Sequence, residues 1–131
     1  MSARSWTVTI PAPAVWLNAN SRADRRREAR TRRAWRDAAH IYARQAKLPK
    51  LGRASIIAEL RFTDKRRRDA HNYYPTVKAC IDGMVDYGLL DDDSDEFLVS
   101  VDIRRGVPLS AVKLGGWPYG QLTLTVREAK P

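Results

Sequence analysis

Apolar and polar positions alternate near both ends of the chain and recur at helical spacing between them. Trp6, Val8 and Ile10 alternate with Thr7 and Thr9 until Pro11 and Pro13 halt the pattern, which predicts an opening strand. Asn18 to Ser21 reads as a turn. Residues 22–47 contain no Gly or Pro, and Trp35, Ala38, Ala39, Tyr42 and Ala46 recur as the face of a long helix, amphipathic only in its second half. Pro49 and Gly52 interrupt it, and Ser55–Phe62 then has the length and the Ile and Phe content of a strand. Pro75 suits the first turn of a second helix, with Val77, Ile81, Met84 and Val85 as its apolar stripe and Gly88 as its stop. Phe97–Ile103 and Gln121–Val126 alternate as strands, the last burying Leu122, Leu124 and Val126. Residues 107–120 between them read as a long hairpin loop containing Trp117.

The order β-α-β-α-β-β predicts an α/β (α+β) fold in which two main helices pack on one mixed sheet. At 131 residues and 44% hydrophobic content the chain has material for one core, so residues 1–131 form one domain. No apolar run reaches the length of a membrane span and the first residues lack the apolar stretch of a secretory signal, so a cytoplasmic protein without a membrane partner is expected. Cys80 is the only cysteine and falls in an apolar helical pattern. A buried thiol is the expectation there, ahead of a nucleophile or metal ligand.

Charge changes the picture. The net charge is +9, which favours a polyanionic partner, and nucleic acid is the commonest one for a small basic domain. Eight arginines fall between Arg22 and Arg36, too many around one helix for burial without a polyanion to cover them. Residues 79–103, by contrast, hold eight acids and no Lys or Arg. Such an island is either a solvated acidic loop or a site compensated by a bound cation.

The basic run Lys65–Arg68 opens onto Asp69, His71 and Asn72. The second helix follows, with Lys78, Asp82 and Asp86 four apart on one face, and Asp91, Asp92, Asp93 and Asp95 come after its end. Arg and Lys hold phosphates and Asp oxygens hold Mg²⁺ or Mn²⁺, so the adjoining segments suit metal-dependent chemistry on a phosphate backbone. For the two acid groups to share an ion, the chain must return past a helix roughly 20 Å long. The bland alternatives are an exposed Lys78–Asp82 helix pair, a surface or hydrogen-bonding role for His71, and solvated arginines.

The run RRRD-A-H-N, then K-A-x-x-D-G, then G-L-L-D-D-D resembles the RusA-type crossover junction endodeoxyribonucleases, small homodimeric resolvases of bacteria and their phages that cut four-way (Holliday) junctions with Mg²⁺. The likeness extends to the opening strand and the Asn-rich turn. It implies catalytic roles for Asp69, Lys78 and Asp93, with metal ligands drawn from Asp69, His71, Asp92 and Asp93, Mn²⁺ being the other candidate ion. Asn72 and Asp82 would support them, and Asp91 competes with Asp92 and Asp93 for the late position. Arg25, Arg26, Arg30, Arg33, Arg66, Arg67 and Arg68 would grip the DNA backbone. Such contacts position DNA without reading its sequence. No small-molecule cofactor is implied. Where the family carries its second acid this chain has His71, which biases a site away from Mg²⁺ toward Mn²⁺ or Zn²⁺.

The resemblance thus implies a structure-selective endonuclease of DNA recombination and repair. One alternative is a catalytically impaired branched-DNA-binding protein on the same scaffold, and another is a nuclease of other branched DNA. Trp16, Trp117 and the Tyr73, Tyr74 pair are candidates to stack on exposed bases, whereas Trp6 and Trp35 read as core.

Overall fold

The structure is a computed structural model that describes residues 4–20 and 24–130. Ser21 and Arg22, expected in a turn and at the helix start, lie outside the described residues. Strand β1 (Ser5–Pro11) leads to helix α1 (Arg25–Gln45), strand β2 (Ala54–Arg61), a short 3-10 turn (Ala70–Tyr73), helix α2 (Tyr74–Tyr87) and strand β3 (Leu98–Arg105). A small hairpin of β4 (Val112–Leu114) and β5 (Trp117–Tyr119) precedes β6 (Gln121–Glu128). The expected α+β architecture of a mixed sheet and two helices is present.

The sheet order is β1-β6-β2-β3, with β2 and β3 parallel and the other pairs antiparallel. The last strand therefore lies between the first two. Register explains its place: Leu122, Leu124 and Val126 of β6 stand opposite Ile10, Val8 and Trp6 on one side and Leu60, Ala58 and Ile56 on the other. Three apolar rows run across the sheet, buried except at the half-exposed Trp6. The opposite face is polar, and there Thr7 meets Thr125 and Thr9 meets Thr123 through their hydroxyls at 3.5 and 3.3 Å.

Helix α1 starts at Arg25 because Asp24 caps it, its carboxylate accepting from the Arg26 N–H at 2.9 Å. The helix was expected from residue 22, and the cap is what sets its true start. Its carboxyl half buries Trp35, Ala38, Ala39 and Ala43, while Arg25, Arg26, Arg27, Arg30, Arg32 and Arg33 are exposed. Helix α2 carries Pro75 in its first turn and ends at Gly88, whose φ of 108° closes it in the left-handed region open to glycine. Cys80 is fully buried, and burial pushes its thiol up, so it stays protonated at neutral pH as an inert core side chain.

The two helices touch at Gly83. A Cβ there would fall on the Arg36 backbone carbonyl and lie 3.1 Å from the Ala39 Cβ. Alanine would gain up to about 1 kcal/mol in helix propensity, but a backbone carbonyl cannot swing aside as a side chain can. Gly83→Ala is therefore expected to be destabilising by a net ~1–3 kcal/mol, read as a lower urea midpoint. A raised midpoint would contradict the close approach.

One expectation is refined by the structure and another corrected. The long hairpin loop expected over residues 107–120 contains two short paired strands, β4 and β5, which turn through Gly115 and Gly116 at φ 58° and 83°. Trp16, counted among the base-stacking candidates, packs inward instead: its ring centroid lies 5.0 Å from that of Trp35 and 5.2 Å from that of Phe62. Tyr73 joins this cluster at 5.1 Å from Phe62, leaving Tyr74 as the exposed member of the pair.

Candidate functional site

Phe62 ends the β2 segment inside the core, and the basic run leaves from there. Asp64 organises that run: its Oδ1 accepts the Arg66 N–H at 3.0 Å and pairs with the Arg68 guanidinium at 2.8 Å. Arg68, whose hydrogen bond holds the Asp64 carboxyl below its usual range, has its guanidinium carbon 4.3 Å from the Phe62 ring centroid and is largely covered. Arg105 of β3 donates to the carbonyls of Arg66 and Asp64 at 2.7 and 3.2 Å. Of the three arginines expected to grip phosphate here, Arg68 is thus built into the loop, and Arg66 and Arg67 face solvent.

Asp69 caps the 3-10 turn, its Oδ1 accepting from the His71 N–H at 3.0 Å. The turn runs straight into α2 and is braced from the other side by the segment before α1. Ala19 N–H donates to the Asn72 carbonyl at 2.8 Å. The buried Thr76 hydroxyl accepts from the Leu17 N–H at 2.7 Å and donates to the Leu17 carbonyl at 2.8 Å. The Asn18–Asn20 turn and the Asp69–Asn72 turn therefore form one surface. Sequence reasoning missed this bracket, because nothing local marks Thr76 as the partner of a residue 59 positions away.

The acidic island comes back along α2. After Gly88, Leu89 and Leu90 bury their side chains, Leu89 N–H bonds to the Met84 carbonyl, and Leu51 N–H donates to the Leu89 carbonyl at 2.7 Å. These anchors turn the chain so that Asp93 reaches Lys78 in the second turn of the helix. The Lys78 ammonium sits between the Asp82 and Asp93 carboxylates, at 2.5 Å from each. The three neighbouring acids separate by partner. Asp91 pairs with Lys50 at 2.7 Å, Asp92 accepts from the Asp93 N–H at 2.8 Å, and Asp93 alone of them faces Lys78.

The charges in this cluster are mutually set. Hydrogen bonding from Lys78 holds the Asp93 carboxyl below its usual range. Burial disfavours the Lys78 ammonium, but its hydrogen bonds to Asp82 and Asp93 outweigh that effect and its pKa is raised. A lowered carboxyl contributes stability that is present above its unfolded value and lost as pH falls through the folded one. A raised ammonium contributes stability present below its unfolded value and lost as pH rises through the folded one. The link is therefore intact from about pH 4 to about pH 10. With side chains 30–40% exposed at Asp93 and Lys78, it is worth under about 1 kcal/mol. Urea midpoints of the wild type and Lys78→Met are expected to differ by a constant amount between about pH 5 and pH 9 and to converge below about pH 4. A gap that varies across neutral pH would contradict this coupling.

His71 lines a cavity with Tyr74, Val101, Asp102 and Ile103, on the β3 side of the turn. Among the described residues, no group of three or more His, Cys, Asp or Glu side chains is gathered closely enough to hold a metal ion. The donor chemistry still suits a hard cation. Asp82 and Asp93 already clasp one positive charge, the Lys78 ammonium. The structure thus brings Lys78, Asp82 and Asp93 together and sets Asp69, His71 and Asn72 on the adjoining turn, with no described contact joining Asp69 to Asp93.

On α1, Arg25, Arg26, Arg27, Arg30, Arg32 and Arg33 are exposed. Arg32, Arg33 and Arg36 border a groove with Asp37 and Asp86, and Arg36 spans to Asp86 of α2 through a two-pronged pair, with Nη2–Oδ1 at 2.7 Å. No helix among the described residues is long and apolar enough to cross a membrane. No protein-family model and no curated protein matches the chain.

Proposed function

We propose that this protein is a metal-dependent endonuclease that cuts branched DNA, with the four-way junction as its substrate, as the resemblance to RusA-type resolvases implies. The observation that carries the reading is the return of the acidic segment onto Lys78. It places an acid-flanked ammonium in the helix that follows the capped Asp69 turn and the solvent-facing Arg66 and Arg67. Asp82 and Asp93, one from the helix and one from the returning segment, both converge on the single lysine of that helix.

By that resemblance Mg²⁺ or Mn²⁺ would be held by Asp69 and Asp93, with their chain neighbours His71 and Asp92 as further candidates, and the ion would supply Lewis-acid polarisation of the phosphate and a reactive water at neutral pH. The chain's own residues do the rest. Lys78 stays protonated because two carboxylates hold it, so it can offset negative charge that develops on the phosphate oxygens. Asp82 keeps that ammonium in place when Asp93 is engaged elsewhere. Arg66, Arg67 and the exposed Arg25, Arg26, Arg30 and Arg33 of α1 position the duplex arms through their phosphates. Two symmetric cuts across a two-fold junction call for two symmetric sites, which is the physical case for a homodimer.

A second reading is favoured by one observation. His71 replaces an acid, and no three-ligand group is gathered among the described residues, which suits a branched-DNA-binding protein that has lost catalysis. The test is cleavage of a labelled four-way junction by the wild type and by His71→Asp, each in Mg²⁺ and in Mn²⁺. Junction nicking by the wild type supports the endonuclease. Tight binding without nicks, with cutting restored by His71→Asp, supports the binding protein.

A further inference from the structure

Beside the basic run, a loop tip carries three consecutive apolar residues. Val107 is 80% exposed, and Val107, Pro108 and Leu109 share a groove with Gly106, Arg105 and Lys65. A lone exposed valine is ordinary, but an apolar tip rimmed by cations is a different kind of surface. The tip is held firmly at both ends. Gly106 N–H donates to the Leu60 carbonyl at 2.8 Å and Ser110 N–H to the Phe62 carbonyl at 2.9 Å. Gly106 itself presses on β2, where a Cβ would come within 2.9 Å of the Arg61 Cγ. Arg105 straps the tip to the basic run through the Arg66 and Asp64 carbonyls. The apolar residues and the cationic loop are therefore tied together by hydrogen bonds, with Lys65 exposed and the Arg66 side chain 81% exposed beside them.

We propose that the 106–109 tip is a wedge that inserts between unstacked bases of DNA, while Lys65 and Arg66 hold the phosphates on either side. The inference rests on the nucleic-acid reading above and narrows it to DNA whose bases are open at a branch point. Charge complementarity selects the occupant. An apolar segment of another protein would gain from Val107 and Pro108 but not from the adjoining cations, whereas a base step offers apolar faces and flanking anions together. Closed duplex presents phosphates and no open stack, so it would engage the cations and leave the wedge unused.

The experiment uses the full chain in the presence of chelator, so that binding is read without cleavage. The probes are a four-way junction carrying 2-aminopurine at the branch point and a linear duplex of the same sequence, titrated with wild type and Val107→Ser. Val107 is exposed, so the variant is expected to fold, which matched urea midpoints would verify. The wild type should raise 2-aminopurine fluorescence on the junction. Val107→Ser should lose that rise and bind the junction about five- to tenfold more weakly, with duplex affinity changed less than about twofold. Equal junction binding by both proteins, or equal loss on junction and duplex, would overturn the wedge while leaving DNA binding intact. Failure of the wild type to bind either DNA would overturn the nucleic-acid reading itself, and the wedge with it.

Discussion

Asp93→Asn and Asp69→Asn are each expected to lower the rate of junction cutting by about 10²–10³-fold, the cost of several kcal/mol of transition-state stabilisation, while junction affinity stays within a few fold. The separation follows from where these groups sit. Asp69 is exposed on the capped turn and Asp93 meets Lys78 at the end of the returning segment, whereas the exposed arginines proposed to hold the duplex arms lie elsewhere. Asn keeps the shape of Asp and an oxygen for the His71 N–H, so the turn is preserved. At Asp93 the lost ion pair is a partly exposed one, and Asp82 remains for Lys78. Stability should therefore fall by less than about 1 kcal/mol. Parallel loss of binding and cutting in single-turnover assays would contradict the assignment.

Trp35→Ala has the largest expected effect on the fold, a loss of about 3–5 kcal/mol in urea denaturation, a substantial part of the stability a domain of this size has. Trp35 is completely buried, stacks on Trp16, and donates its indole N–H to the Val15 carbonyl at 2.9 Å. Through Trp16 it also supports Phe62 and Tyr73, the residues that flank the basic run and the Asp69 turn. Partial loss of DNA binding should accompany the loss of stability. A variant destabilised by less than about 1 kcal/mol would show that this cluster does not hold the site.

What could be read from the sequence were the features with local causes. The alternation of β6, the apolar stripe of α2, Pro75 at its start and Gly88 at its end each act within a few residues, and each element formed where it was expected. Asp24 was an available signal for the start of α1, since Asp is among the best N-caps, and the arginine pattern masked it. The placement of β6 between β1 and β2 had no local signature, because a strand carries its register partners only in the alternation of its own residues.

The site divides the same way. Lys78 and Asp82 are four apart on a helix, so their pairing was visible in the spacing. That Asp93, and neither Asp91 nor Asp92, turns to Lys78 depends on Leu89 and Leu90 entering the core and on Leu51 holding the Leu89 carbonyl. Arg68 looked like one of three equivalent phosphate ligands. Asp64, four residues before it, was the clue that it belongs to the loop's own structure.

The measurement that tests the central claim most directly is strand cleavage of an end-labelled four-way junction beside a linear duplex of the same sequence, by the wild-type protein with Mg²⁺ or Mn²⁺ and with chelator. The account predicts paired, symmetric nicks in the junction alone, dependent on the metal. Absence of metal-dependent nicks in the junction, or equal nicking of junction and duplex, would contradict it.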